Sequence, residues 1–224
     1  MNRVAVTIAL ALPLSAVSLA GCAHRPRATV ALEPTPPQPQ GWRALATAED
    51  QARLDALPQR WAEAKTRITR RYAAKVTAEG ALLDPAAALP LPALPPGPYR
   101  CRLVRLGGPA PIASFKPDFC YIEGDAKGVA FTKVDGANLP GGWLFEDGAT
   151  RQVLLGGTRS HPTQQSPGYG TDPTRDVAGI VERVGPFRWR LVLPKAGRGA
   201  LLDIYELVPV PPAVPGATPA VAVK

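Results

Sequence analysis

Apolar positions recur along the first third of the chain at the spacing of a helix. Leu54, Leu57, Trp61, Ala64, Ile68, Tyr72 and Val76 follow one another at steps of three and four, which places them on one stripe of a 3.6-residue period. The pattern predicts a helical region within Ala44 to Val76. Thr47 is placed to cap its start, with Glu49 and Asp50 in the first turn, where the helix dipole favours negative charge. Pro58 interrupts the run and suits the first turn of a second helix, with Asp55 as a cap. The expectation is therefore a short helix and then a longer one from about Pro58 to Ala78, stopped by Gly80. The opposite face carries Arg60, Lys65, Arg67, Arg70, Arg71 and Lys75. Such a basic amphipathic helix can lie on a membrane surface, but its commoner use is to bury the stripe on its own domain.

Leu82 to Pro98, rich in Ala, Leu and Pro, reads as an extended connector with leucines to bury. From Tyr99 the period changes to two. Tyr99, Cys101 and Leu103 alternate with Arg100, Arg102 and Val104, and Phe187, Trp189, Leu191 and Leu193 alternate with Arg188, Arg190 and Val192. These are half-buried strands with a polar outer face. Further strands are expected at Phe119–Glu123, Val129–Val134, Gly142–Glu146, Gln152–Gly156, Ala178–Val184 and Leu201–Val208. Turn chemistry separates them at Gly124-Asp125, Asp135-Gly136, Asp147-Gly148 and Gly185-Pro186. About seven to eight short strands joined this way predict a mainly β (α+β) fold, an antiparallel β-barrel or sandwich with an N-terminal helical segment. The longest irregular stretch, Thr158 to Arg175, is of the length that often carries function.

The two ends belong to no core. Arg3 and the uncharged run Val4 to Ala20 have the order of an export signal. Leu19-Ala20-Gly21-Cys22 resembles the lipobox of bacterial lipoproteins, in which the cysteine is diacylated, the peptide is cut before it and the new amino group is acylated. That resemblance implies palmitate-type lipidation at Cys22 and a firm membrane anchor, since each buried methylene adds about 0.8 kcal/mol. Ala23 rather than Asp follows the cysteine, which by the same resemblance points to the outer membrane over the inner, facing the periplasm. Prolines 26, 34, 36, 37 and 39 make the next stretch a semi-rigid spacer. Prolines 209, 211, 212, 215 and 219 mark a disordered tail. The expected organisation is a signal peptide over 1–21, a tether over 22–40, a helical preface over 41–80, a connector over 81–98, a β-domain over 99–209 and a tail over 210–224.

Charge and cysteine content refine this picture. The net charge is +8, about +7 without the signal peptide, a balance that governs solubility and attraction to anionic surfaces rather than fold. An exported chain does not meet nucleic acid, so headgroups, lipopolysaccharide phosphates and acidic polymers are the anionic partners at hand. Cys101 and Cys120 remain once Cys22 is lipidated. In an oxidising compartment an even pair is expected to form a disulfide. A metal or nucleophile site is the alternative, but no histidine cluster supports it.

Groups suited to catalysis are sparse. His24 lies in the spacer, leaving His161 beside Ser160. No Gly-x-Ser-x-Gly elbow, no zinc-ligand spacing and no phosphate-cradling glycine turn occurs, and no cofactor is implied. Asp172, Asp176, Glu182, Asp203 and Glu206 offer carboxylates that could flank a scissile bond, or that pair with arginines. Arg100, Arg102, Arg188 and Arg190 would form an anion-binding stripe if their strands were neighbours. Pairing across strands with Glu182, Asp203 or Glu206 is the alternative. Gly179 suggests a bulge or a close backbone approach. His161, Tyr169, Asp172, Arg175 and Asp176 mark the candidate functional loop.

The stretch Tyr169-Gly170-Thr171-Asp172, Arg175 through Gly185 and Arg188-Trp189-Arg190-Leu191-Val192-Leu193-Pro194, with Pro96 through Arg102 and Leu202-Asp203 and Glu206-Leu207, resembles an uncharacterised domain-of-unknown-function family of small exported alphaproteobacterial proteins. The resemblance covers about Ala44 to Pro209 and implies domain limits and export, not an activity. The expected function is a lipid-anchored, non-catalytic binding or structural module for an envelope protein or an anionic envelope component. The alternatives are a barrel that carries a small apolar ligand or lipid, a periplasmic hydrolase inhibitor and an envelope hydrolase using Asp172, Asp176 or His161.

Overall fold

A computed structural model describes residues 41–125 and 128–211. The expected signal peptide, Cys22, the expected tether and the expected tail beyond residue 211 lie outside the described residues. Four α-helices come first: α1 (Trp42–Leu45), α2 (Ala48–Asp55), α3 (Leu57–Thr66) and α4 (Ala73–Glu79), with 3₁₀ turns at Arg70–Tyr72 and Gly80–Leu83. Nine strands follow: β1 (Gly97–Leu106), β2 (Ile112–Ser114), β3 (Asp118–Asp125), β4 (Gly128–Lys133), β5 (Leu139–Glu146), β6 (Arg151–Arg159), β7 (Asp176–Gly185), β8 (Arg188–Leu193) and β9 (Leu202–Pro209).

The strands run β1-β3-β4-β5-β6-β7-β8-β9 in antiparallel order, and β9 pairs back onto β1. This closes an eight-stranded barrel and removes its edges. The short β2, which the sequence pattern did not announce, pairs with Val104 to Leu106 of β1 where β3 has already left that strand.

Strand alternation sorts side chains into two cores. Tyr99, Cys101, Cys120, Ile122, Phe131, Leu154, Val181, Trp189, Leu191 and Leu207 fill the interior. The Cys101–Cys120 disulfide crosses between β1 and β3 within it. Val104, Leu106, Val153, Leu155, Ile180, Val192 and Ile204 face outward and are covered by Trp42, Leu54, Leu57, Trp61 and Ala64 of the helical preface. The 3.6-residue stripe is thus spent on the barrel wall, as a core-facing helix stripe should be.

Local chemistry shapes each element. Thr47 Oγ1 accepts from the Asp50 amide at 3.2 Å, the cap the sequence predicts. Asp55 caps nothing; its carboxylate instead accepts from Arg43 at 2.9 Å, and α3 begins without a side-chain cap. The longer helix is broken after Thr66, where the β-branched pair Ile68 and Thr69 sits and Thr69 is extended. In the barrel wall, glycines let β5 and β6 approach: a Cβ on Gly156 would lie 1.8 Å from the Gly141 oxygen. Gly179 admits the side chains of Leu191 and Leu193, 2.9 and 2.5 Å from where its Cβ would be, a close approach rather than a bulge.

The two barrel ends differ. At the end holding the start of β1 and the end of β9, the connector lies across the opening. Trp189 Nε1 donates to the Pro92 carbonyl at 3.0 Å, the Tyr99 hydroxyl to Pro95 at 2.7 Å and Arg183 to Pro90 at 2.7 Å. Leu94 is buried in the interior core beneath these contacts.

Candidate functional site

The opposite end is polar and open. Four charged residues occupy inward-facing positions there, two layers above the apolar interior. Arg105 on β1 and Asp203 on β9 stand opposite one another in register. Arg105 Nε and Nη2 donate to the two Asp203 oxygens at 2.6 and 2.9 Å, the bidentate geometry that makes guanidinium–carboxylate pairs strong. That bond, acting against burial, holds the guanidinium above its ordinary value. On the other side Lys133 of β4 meets Asp118 of β3 at 2.7 Å, and its remaining donors reach the carbonyls of Asp135 and Ala137 at 2.5 and 2.8 Å.

Two adjoining clefts open over these pairs. The larger, about 400 Å³, is bounded by Asn138, Thr158, Arg159, Arg175, Asp176, Lys195, Asp203 and Tyr205. The smaller, about 320 Å³, is bounded by Arg105, Phe115, Asp118, Lys133, Asn138, Arg198 and Tyr205. Asn138 and Tyr205 belong to both. Together the walls carry six cationic side chains and three carboxylates, so the mouth has a positive excess.

Tyr205 forms the shared floor. It is 1% exposed, yet its hydroxyl has no hydrogen-bond partner among the described residues. Burial, and the nearby Asp203 carboxylate, push this phenol well above its ordinary value. The hydroxyl therefore remains a proton donor at any physiological pH. The residue is buried, but its hydroxyl oxygen is not closed off from the cleft, which is space that a ligand can fill.

The candidate loop divides. Arg175 stays at the cleft: its Nε donates to the Thr158 carbonyl at 2.8 Å. Asp176 also lines it, accepting from the Gly170 amide at 2.9 Å, with burial raising its carboxyl above the usual value. Tyr169 turns away and fastens the loop to α2, donating to Asp50 at 2.6 Å. Asp172 serves its own turn, accepting from the Thr174 amide and hydroxyl at 3.0 and 2.7 Å, which lowers its carboxyl. His161 is exposed on the loop. Of His161, Asp172 and Asp176, only Asp176 borders the cleft. Among the described residues no group of three or more His, Cys, Asp or Glu side chains is arranged to hold a metal.

The arginines of the outer face are spent elsewhere. Their strands are not neighbours: β9 lies between β1 and β8 and brings Glu206 between the arginines, so that Arg102 and Arg188 reach its two oxygens at 2.7 and 2.6 Å. Arg102 also bonds Glu79 at the end of α4. Arg190 is 0% exposed beneath the preface and pairs with Glu182 at 2.7 Å. Three of the four are thus compensated from within, and Arg100 alone of them is exposed. The mouth residues Arg105, Asp118, Lys133, Asn138, Lys195, Arg198 and Tyr205 were not singled out as a site by sequence reasoning, which expected the inward row to be apolar. The available signal was a lone cation, Arg105, at the parity of Tyr99, Cys101 and Leu103, matched by Asp203 at the parity of Tyr205 and Leu207.

No curated protein and no solved structure matches the chain. Residues 42–207, from the first helix to the last turn of β9 around the barrel, match the family described as domain of unknown function DUF4893, and the chain belongs to that family.

Proposed function

We propose that this protein is a lipid-anchored module of the bacterial envelope that binds an anionic envelope component at the open end of its barrel and performs no chemistry on it. The observation that carries the reading is the mouth itself: one barrel end is covered by the connector, while the other presents a positively biased cleft over the partnerless hydroxyl of Tyr205. Cleft volumes of 400 and 320 Å³ are in the range of small-ligand sites. The lipobox at Leu19-Ala20-Gly21-Cys22 and the proline-rich 22–40 segment support a tether that leaves the mouth free to meet its partner facing the periplasm, with the outer membrane favoured by Ala23. The packed interior, with Phe131, Trp189 and Leu191 in its middle, speaks against a lipid carrier.

The test is retention. Immobilised protein should hold back an acidic fraction of a bacterial envelope extract, and release it as salt rises, because screening weakens exposed charge contacts. Reversal of charge at Arg175 and Lys195 should abolish retention. Retention that is absent at low salt, or indifferent to those reversals, refutes the reading. Globomycin or Cys22→Ser should release the protein from membranes; unaltered processing and membrane association would refute the anchor.

A further inference from the structure

The smaller lobe of the mouth has a chemistry of its own, distinct from the cationic rim. Its charges are mostly cancelled in place, Arg105 by Asp203 and Lys133 by Asp118. A site built only to hold an anion would leave those cations unpaired. What remains is a set of directed, partly unused hydrogen-bonding groups. Arg105 is 7% exposed and spends Nε and Nη2 on Asp203, while Nη1 has no partner among the described residues. The Tyr205 hydroxyl is likewise unused. Asp118 keeps 34% of its side chain exposed and can accept further bonds. Asn138, held at a φ of 52°, adds an amide that both donates and accepts.

An aromatic wall completes the lobe. Phe115 is 47% exposed, and the Arg105 guanidinium lies 5.7 Å from its ring centroid. A half-open aromatic face beside planar carboxylate, amide and guanidinium groups is complementary to a ring with one apolar face and an equator of hydroxyls. The C–H face packs on the aromatic, and each hydroxyl, both donor and acceptor, uses the mixed polar set. A volume of about 320 Å³ has room for one such ring. Arg198 stands exposed at the border of the lobe, without a hydrogen bond or ion pair to the described residues. It is placed to meet an acidic substituent.

We propose that the smaller lobe binds a single acidic sugar ring, a pyranose bearing a carboxylate or a phosphate. Phe115 packs under the ring, Tyr205 and Arg105 donate to its oxygens, Asp118 and Asn138 accept from its hydroxyls, and Arg198 faces the acid group. This assignment rests on the mouth being the binding site for an anionic envelope component, and it names the chemical unit recognised there.

Calorimetric titration of the full-length chain, as purified from the expressing cell, with glucuronic acid, glucose 6-phosphate, glucose and inorganic phosphate tests it. At least one acidic sugar should bind roughly ten-fold more tightly than glucose and than phosphate; which of the two does so identifies carboxylate or phosphate as the acid. Tyr205→Phe keeps the ring and removes the hydroxyl, and should weaken the preferred sugar roughly three- to ten-fold, the worth of one hydrogen bond between neutral groups. Phe115→Ala, at a half-exposed position, should weaken acidic and neutral sugars alike and leave phosphate unchanged. Arg198→Ala should erase the preference for acid over glucose. Phosphate binding as tightly as the sugar phosphate overturns the proposal, as does indifference to both Tyr205→Phe and Phe115→Ala, or no binding of any sugar at about 10 mM. In those cases continued salt-sensitive retention of the envelope fraction leaves the broader reading standing; loss of retention as well removes both.

Discussion

Arg190 is the most informative residue to remove. It is 0% exposed, and its guanidinium reaches Glu182 at 2.7 Å and the carbonyls of Asp84, Leu82 and Ala81 at 2.7, 3.1 and 3.2 Å. Two of those carbonyls belong to the 3₁₀ turn that ends the helical preface; Ala81 and Asp84 also accept from the amides of Asp84 and Ala87, while Leu82 is met by Arg190. The Trp61 ring of α3 lies 5.3 Å away. One side chain therefore joins barrel to preface through charge, backbone acceptors and an aromatic face. Arg190→Met preserves much of the volume but strands the Glu182 carboxylate, which is 15% exposed, together with the Leu82 carbonyl. Removing one partner of a buried pair costs about 3–5 kcal/mol. For a domain of this size that lowers Tm by roughly 10 °C or more. Adding Glu182→Gln to Arg190→Met should recover part of the loss, because the stranded charge is gone while the guanidinium's bonds to the carbonyls stay lost. Urea and thermal unfolding followed by tryptophan fluorescence and circular dichroism give both values. A loss below about 1 kcal/mol for Arg190→Met would refute the reasoning, since it would mean that water replaces the guanidinium without penalty.

Three further perturbations test other parts of the fold. Burial alone would raise Glu206, but Arg102 and Arg188 outweigh it and hold its carboxyl below the ordinary value of 4.5. A carboxylate depressed in the native state adds stability above its unfolded value and loses it as pH falls through the native one. The urea midpoint should therefore decline on the acid side of 4.5 and decline less steeply in Glu206→Gln; equal slopes would count against the pairing. Asp176 has the opposite sign, since burial raises it above 3.8. Asp176→Asn, which keeps the acceptor for Gly170, should be more stable than the native protein at pH 7, with the advantage vanishing below 3.8; a loss at neutral pH would contradict this. Replacing Cys101 and Cys120 together by alanine opens a 19-residue separation and should cost about 3 kcal/mol; a reductant that leaves the urea midpoint unmoved would show that the bridge adds nothing to stability.

Much of the barrel was legible because its signals are local. The period-two runs and the Asp-Gly and Gly-Asp turns each involve neighbouring residues, the cysteine pair is fixed by count and compartment rather than position, and the eight strands that close the barrel fall where the local signals put them. The stripe from Leu54 to Ala64 foretold a buried helix face. β2 escaped notice because three residues are too few to show a period. The break after Thr66 escaped because the apolar stripe continues through Ile68, Tyr72 and Val76 regardless of whether the backbone is one helix or three pieces. The site was the least legible part. Its walls come from β1, β3, β4, β5, β6, β7, β8 and β9, and their convergence at one barrel end is a property of closure and register rather than of any segment.

The arginines show why parity alone does not separate structure from site. Arg102 and Arg188 point outward, as the alternation requires, but the preface and the acidic partners Glu79 and Glu206 reach that wall and consume their charge. Arg105, three residues after Arg102 and on the opposite face, points into the barrel, where an apolar residue is the default. Burying a guanidinium there is costly unless it is paired, and the pairing is supplied by Asp203 on the adjacent strand β9, opposite Arg105 in register. An interior could dispense with both charges by carrying two apolar residues, often at no loss of stability. Keeping them places a rigid fork, with one nitrogen unspent, next to the partnerless hydroxyl of Tyr205. Stability accounts for the paired outer arginines Arg102 and Arg188; it does not by itself account for Arg105, Asp203 and Tyr205. If Arg105→Met with Asp203→Leu proves as stable as the native protein in urea yet loses its ligand, the pair is there for recognition; if the double variant unfolds readily and the rim variants bind normally, it is there for the fold.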